Sequence, residues 1–398
     1  MTLFSRLLIS ATVTAGFVVS PAVHAEDKAV ATPATATAPA PSKIDLKAID
    51  RRIAKLMQRD DMVGLSVAII ENGEIISAKG YGETIKGSRQ MVTADTVFRW
   101  ASVSKSVAAA TAILLVKDDY FGLSSPVVAH APSVKLPPSD HMITLEDLLS
   151  HRTGIVRNAY DVKIEDGRDP KVIRTSLQGL SHLCEPGTCH GYQNVLFDAV
   201  SEMTETATGI PYKAVVNERI FEPLGMSTAS TTLEGLSRSK SWARPHNRRG
   251  AMISSVKPTY YRVPAAAGVN SSITDMAKWT LAQMDGGQGG LPADVANEIH
   301  TARVQTPREN RRMRRHYSAL SDAHYALGWR SYNMEGHRVV GHRGAVEGYR
   351  SAVLFDPEHK TGIAMMWNSS SSRPVGLQLE LFDQVHDRPR RDWMRLAR

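Results

Sequence analysis

Ser102-Val103-Ser104-Lys105 sets a hydroxyl and an amine three residues apart at the head of an Ala-rich stretch. On a helix that spacing puts both side chains on one face, a turn apart. A serine hydroxyl becomes a useful nucleophile when a neighbouring base takes its proton, and a desolvated lysine can be that base. The N–H groups at the helix start add positive potential where an oxyanion would develop. The same pattern recurs at Ser237–Lys240 and Ser254–Lys257, and context separates the three. Ser102 follows the apolar lead Val97–Ala101 and precedes a buried-type run, Val107–Val116. Ser237 lies in a polar Ser/Arg run, and Lys257 runs into Pro258, which disfavours helix at the residue before it.

Two later segments could complete the chemistry. In Tyr192-Gln193-Asn194 a phenol could shuttle protons beside Ser102 and Lys105, and the asparagine amide could orient the lysine and a substrate carbonyl. In Gly341-His342-Arg343-Gly344, read as the start of a strand, glycines would let a substrate lie along the strand edge. The N–H of Ala345 could then be a second oxyanion donor. Lys360-Thr361-Gly362 and Ser331-Tyr332-Asn333 spell related triplets, but both read as turn composition, with Lys360 solvated at a hairpin tip.

The elements that must position these residues are legible as patterns. Asp45–Met57 carries Leu46, Ile49, Ile53 and Leu56 on one helical face. Val63–Ile70 and Glu74–Gly80, joined by Asn72-Gly73, read as a hairpin. Helices are predicted over Val103–Asp119, from a capping box at Thr144–Asp147, and over Asn194–Thr206, Tyr212–Phe221 and Thr274–Met284. Strands follow at Tyr325–Tyr332, His337–His342, Arg350–Phe355 and Gly362–Trp367, then a helix with Val375, Leu379, Phe382 and Val385. The fold class expected is α+β: an antiparallel sheet flanked by helices, built from both chain ends (43–95 and 275–398), with a mostly helical part inserted (96–274).

Residues 1–25 read as a cleavable signal peptide, with Arg6, an apolar stretch Leu7–Val19 and the small-residue ending Val23-His24-Ala25. Residues 26–42, rich in Ala, Thr and Pro, read as a disordered linker. The expected location is therefore periplasmic or secreted. Export makes two free thiols unexpected, and Cys184 and Cys189, flanking Glu-Pro-Gly-Thr, are expected to close a small disulfide loop.

At 398 residues, with 42% hydrophobic and 22% charged residues, the composition excludes collagen-like, coiled-coil and wholly disordered chains. No run of 18 apolar residues appears, so no membrane span is expected. Neither H-E-x-x-H nor H-x-H-x-D-H occurs, there is no P-loop or Rossmann fingerprint, and no G-x-S-x-G elbow is present. No metal and no cofactor are expected on that basis. The net charge is +8, and six arginines crowd into 303–315; that run reads as a solvated basic loop, with a patch for anionic wall polymer, lipid or substrate as the alternative. No zinc-finger, helix-turn-helix or interleaved aromatic pattern accompanies it, so nucleic acid is not an expected partner. The sequence leaves the oligomeric state open.

Taken in order, S-x-x-K, Y-x-N and a basic-x-Gly triplet on a late strand resemble the penicillin-recognising serine hydrolases. The nearest likeness is to the class C beta-lactamases and the related D-alanyl-D-alanine peptidases and esterases. The resemblance runs from about Ile44 to Phe382 and includes Leu148–Gly154, Glu222–Met226 and Ala267–Ser272. It implies Ser102 as the acylated nucleophile, Lys105 and Tyr192 as the proton-handling pair, and Asn194 on the substrate amide. The N–H groups of Ser102 and Ala345 would form the oxyanion hole, and Gly344 would complete the triplet. Whether Lys105 or Tyr192 is the acylation base stays open. No E-x-x-L-N stretch is present, so the deacylating water would rely on Tyr192. His342 and Arg343 stand where beta-lactamases commonly carry lysine and threonine, which shifts carboxylate capture toward Arg343. The resemblance implies a small-molecule or peptidoglycan-derived substrate (a lactam, a D-amino-acid amide or an ester), with a beta-lactamase-like hydrolase the first reading and a D-alanyl-D-alanine-type peptidase or small-ester esterase the alternative. A catalytically idle peptidoglycan-binding module is the non-enzymatic alternative, and an intact Ser102, Lys105, Tyr192 and Asn194 argue against it.

Overall fold

The computed structural model describes residues 42–284 and 290–397, so the expected signal peptide and nearly all of the linker lie outside the described residues. The first helix, α1 (Leu46–Met57), is capped by the Asp45 side chain, which accepts from the Ala48 N–H, and it buries Ala48, Ile49, Ile53 and Leu56. It leads into β1 (Gly64–Glu71) and β2 (Glu74–Gly82), joined at Asn72 and Gly73, which both take positive φ. That is the geometry of a tight hairpin turn. The short strands β3 (Phe98–Arg99) and β4 (Asn270–Ser271) pair with each other. The remaining strands are β5 (Val304–Gln305), β6 (Leu320–Tyr325), β7 (Arg330–Met334), β8 (His337–Val346), β9 (Tyr349–Asp356) and β10 (Thr361–Trp367).

Eight strands form one antiparallel sheet in the order β2-β1-β10-β9-β8-β7-β6-β5, so the two chain ends meet where β1 pairs with β10. Alternate residues of the central strands enter two separate cores. Ala68, Ile70, Val353, Phe355, Ala364 and Met366 face the helical side. Val67, Ile69, Leu354, Ile363 and Met365 face a second core shared with α1 and the last helix, Val375–Val385. A strand buried on both faces has no polar side, which is why β1 and β10 read as mostly apolar runs. The α+β class expected from the sequence is the class observed.

Between the strands lies α2 (Ser104–Lys117), whose residues from Ser104 to Leu115 are all buried. A helix apolar on every side belongs at the centre of a domain. The helix α3 (Ala199–Thr208) and α4 (Ile273–Ala282) follow, with α5 (Pro307–His316) beside the sheet edge and α6 (Val375–Val385) closing the chain.

Four expectations need correction. Tyr325–Tyr332 is not one strand: β6 and β7 are separated by a turn at Gly328 (φ 70°), where any Cβ would collide with the Lys105 carbonyl. The helix expected from Asn194 begins at Ala199, after a turn over residues 195–198. The strand expected to stop at His342 continues to Val346, carrying the whole Gly-His-Arg-Gly segment within it. Gly341 and Gly344 fit within this strand because Val353 and Trp100 crowd the space a Cβ would need. Finally, the basic run is not a loop. Residues 307–316 form α5, with Pro307 at its first turn, Glu309 near its N-terminus and Arg314, Arg315 and His316 in its last turn.

Candidate active site

The nucleophile candidate sits on a constrained approach. Trp100 is fixed by its N–H to the Val269 carbonyl (2.8 Å), its indole N–H to Ser271 Oγ (2.8 Å) and its own carbonyl, which accepts from Ser351 Oγ (2.5 Å). Ala101 then takes φ 49°, a left-handed conformation that costs a β-carbon residue about 1–2 kcal/mol. Ser102 follows within the 3-10 turn Ala101–Val103 that runs into α2. Ser104 holds this turn: its hydroxyl donates to the Ala101 carbonyl (2.6 Å) and accepts from the Val269 N–H (2.9 Å). The absence of a Cβ at Gly344 lets β8 pass directly under Trp100.

Lys105 has no solvent exposure, so its ammonium depends on protein partners. It donates to Asn194 Oδ1 at 2.7 Å and to the Ala266 carbonyl at 3.0 Å. The Tyr192 and Phe197 rings stand 4.8 Å and 5.4 Å from it. The other end of the Asn194 amide donates to Asp161 Oδ2 at 2.7 Å. Asp161 opens a short helix, Asp161–Glu165. Burial raises its pKa above the ordinary carboxylate value, against the pull of Asn194 and Lys105. The amide is thereby fixed with its oxygen toward the ammonium. Asp161 was not among the sequence candidates; an acidic residue at the head of a short helix is its only sequence signal.

Tyr192 packs its ring against His151 (4.4 Å between centroids) and His342 (6.4 Å, stacked). His151 accepts from the Gln193 N–H at Nδ1 (3.2 Å), and burial pushes its pKa well below the usual histidine value. His342 is buried too. Its Nδ1 lies 3.0 Å from the Arg343 carbonyl, which only accepts, so that nitrogen carries the proton. Its Nε2, 3.0 Å from the Tyr325 hydroxyl, is the acceptor. Burial and the neighbouring Arg330 and Lys105 charges keep this ring neutral. Arg343 points toward α5, 5.0 Å from the Tyr317 ring and 3.9 Å from Glu309. Burial would raise the pKa of Glu309, but Arg330, Arg343 and Arg312 outweigh it and hold it below the ordinary range.

Ser102, Tyr192, His342, Arg343, Gly344 and Ala345 line one cavity of about 250 Å³, and Lys105 and Asn194 are buried, the lysine against Tyr192. A larger cavity of about 800 Å³ shares Arg157, Tyr192, Glu309, Arg312 and Arg330 with it and reaches Cys189, Arg308 and Arg311. The disulfide Cys184–Cys189 is formed. β7 pairs with β8 only as far as Gly341, whereas β9 pairs with it to Val346. The stretch His342–Val346 therefore offers one unpaired strand edge beside Ser102. Ser237, Ser254, Lys257 and Lys360 are exposed and line neither cavity.

The Beta-lactamase family model matches residues 49–384, and the chain belongs to that family. Among curated relatives, an unguisins hydrolase from Aspergillus campestris is 28% identical over 84% of this chain and 64% of its own length. A D-aminopeptidase from Gluconobacter oxydans is 24% identical over 82% of this chain and 60% of its own. The chain thus spans somewhat under two thirds of these relatives. Among solved structures, an octameric penicillin-binding protein homologue from Pyrococcus abyssi superposes with TM-score 0.78 at 24% identity, covering 87% of this chain and 78% of that one.

Proposed function

We propose that the chain is a serine hydrolase that acylates Ser102 with a carboxylate-bearing D-amino-acid amide or peptide, and then hydrolyses the acyl-enzyme. One observation carries the reading: Lys105, wholly buried and aligned by Asn194 and Ala266, holds its Nζ 4.8 Å from the ring of Tyr192, which lines one cavity with Ser102. An amine held on the same helix face as a serine hydroxyl can take its proton, which gives Lys105 the role of base. Tyr192, on the same wall, passes the proton to the leaving amine. The N–H groups of Ser102 and Ala345 receive the oxyanion, and the open edge His342–Val346 takes the substrate backbone as an added strand. The arginines around both cavities, set against the single carboxylate of Glu309, favour an anionic substrate.

The neutral His342 favours a D-peptide over a lactam, because a fixed cation is missing at the triplet's first position. A class C-like lactam hydrolase is the second reading, supported by the order of the three motifs. The apolar N-terminal stretch and the Cys184–Cys189 bridge support export, and among the described residues no helix is long and apolar enough to cross a membrane. A substrate panel of D-alanyl-D-alanine peptides, D-amino-acid amides, nitrocefin and p-nitrophenyl esters tests the reading. Turnover should be fastest on the D-substrates, vanish in Ser102→Ala and survive in Ser237→Ala and Ser254→Ala. A covalent adduct mapped to any other residue would overturn it.

A further inference from the structure

At the end of the sheet away from the cleft, three imidazoles surround one carboxylate. His337 begins β8, Asp356 ends β9, His359 lies in the β9–β10 turn and His386 caps the C-terminus of α6. Asp356 Oδ2 accepts from His359 Nδ1 and from His386 Nε2, both at 2.9 Å. The His337 ring stacks on that of His386 at 3.9 Å and lies 5.3 Å from that of His359. One ligand-type atom from each of the four residues falls within 4.8 Å of every other.

We propose that His337, Asp356, His359 and His386 form a binding site for one divalent transition-metal ion, with zinc the best fit. Four nitrogen or oxygen ligands around zinc, each at about 2.0–2.1 Å, stand about 3.3 Å from one another. To reach that spacing the four ligand atoms draw in from within 4.8 Å of one another, and the His337 and His386 rings turn out of their stack. A hydrogen-bonded Asp-His-His trio would account for three of the residues and leave the fourth without a role. Among the described residues, the ring of His337 makes no hydrogen bond, yet it is held face to face with His386. The carboxylate is oriented in advance: Oδ1 accepts from the Glu358 and His359 N–H groups at 2.9 Å and 3.2 Å, which aims Oδ2 at the imidazoles. Asp356 and His386 are buried, whereas His337 and His359 are half-buried and leave an entry path. Three imidazoles and one carboxylate suit zinc, copper(II) or nickel(II) rather than magnesium or calcium.

The site is separate from acyl transfer. His337 and Gly344 are seven residues apart on β8, about 23 Å at the rise of an extended strand. A metal here ties the end of α6 to the β9–β10 hairpin and to the start of β8, so its effect falls on stability rather than on turnover.

The experiment uses the full chain without a histidine tag, stripped with a chelator and titrated with zinc chloride by calorimetry. The expected result is one zinc per chain, a melting temperature higher by about 5 °C or more in saturating zinc, and unchanged turnover at the Ser102 site. His337→Asn and His359→Asn, both at half-buried positions, should each weaken zinc binding by about a hundredfold or more and abolish the thermal shift. Retained Ser102 acylation shows that each variant is folded. Should either variant bite zinc as tightly as the parent, or the parent take up none, the proposal fails. Should His386→Asn prove unfolded, the two half-buried variants still decide the matter.

Discussion

Lys105 Nζ and Asn194 Oδ1 meet at 2.7 Å, and the far end of the same amide meets Asp161 at 2.7 Å. An asparagine amide can turn over and present N–H₂ where its oxygen was, and beside an ammonium that would be repulsive. The carboxylate of Asp161 prevents the flip by accepting from Nδ2. Asp161 is thus a positioning residue, acting on the lysine through Asn194.

Asp161→Ala is expected to slow acylation by roughly ten- to a hundredfold, the usual scale for a misplaced catalytic group. Stability should change little, because the carboxylate already bears the burden of its own burial. The pH profile of acylation should shift in Asp161→Ala and return toward the parent in Asp161→Glu. Single-turnover acylation across pH, with melting curves alongside, checks this; an unchanged rate and profile would mean that Asn194 holds its orientation unaided.

Arg343→Ala should raise KM for carboxylate-bearing substrates by about tenfold or more while leaving neutral esters nearly untouched. Its guanidinium lines the Ser102 cavity, and Glu309, 3.9 Å away, is not close enough to bind it tightly. Lys360→Ala should change neither class, since Lys360 is exposed in the β9–β10 turn. His342→Ala should slow both classes alike, because a neutral ring bonded to Tyr325 supports Tyr192 by packing rather than by charge. Steady-state kinetics on matched amide and ester pairs would expose an error here as a selective effect in Lys360→Ala.

His300 makes acid sensitivity measurable at one position. Burial, with the nearby Arg338 charge, pushes its pKa from 6.5 down to about 3. The unfolded chain takes up this proton below about pH 6.5, whereas the fold resists until about pH 3. The stability contributed by a neutral His300 is therefore whole above pH 6.5 and is lost progressively as pH falls through that window. The melting temperature should decline from pH 6.5 to 4.5. His300→Gln, which keeps a polar partner for Gln283, should lower the neutral-pH value by a few degrees but make the decline shallower. Equal slopes in the two proteins would show that other groups dominate acid unfolding.

Much of this architecture is written in local patterns. The Asn72-Gly73 hairpin, the Thr144 capping box and the amphipathic α1 each rest on interactions within a few residues, so their residues announce them. Ser102 and Lys105 stand out because they open a helix, and Tyr192 and Asn194 stand out by following them in chain order as a Y-x-N triplet. What escaped the sequence depends on distant partners. Asp161 matters only through Asn194, and Gly328 only because it abuts Lys105. The close approach of Val353 and Trp100 that Gly341 and Gly344 permit shows only once the neighbouring chain segments are placed. The arginines of α5 hid its one fully buried residue, Met313. His337, Asp356, His359 and His386 match no local ligand spacing, because three separate strand and helix ends bring them together.

The bridge between Cys184 and Cys189 spans five positions of sequence, and its Cα atoms stand 6.3 Å apart. So short a loop restricts few unfolded conformations, and its contribution to global stability should be modest, about 2 kcal/mol or less. Its local effect is larger. The Gly187 N–H donates to the Arg152 carbonyl at 2.6 Å, and the Gly191 N–H donates to the His151 carbonyl at 2.9 Å, so the loop is moored to the segment that carries His151. Tyr192 follows directly and rests on the His151 ring. Opening the bridge frees Cys189 and His190 in the wall of the larger cavity and loosens the approach of Tyr192 to Ser102. A displacement of about 1 Å at such a group costs roughly a hundredfold in rate. The pair Cys184→Ser with Cys189→Ser should therefore lower kcat by ten- to a hundredfold, on the order given by that misplacement, while the melting temperature falls by only about 5 °C. Thiol titration of native, unreduced protein should find no free cysteine. Full activity in the double variant would show that the moorings at Arg152 and His151 hold Tyr192 without the disulfide.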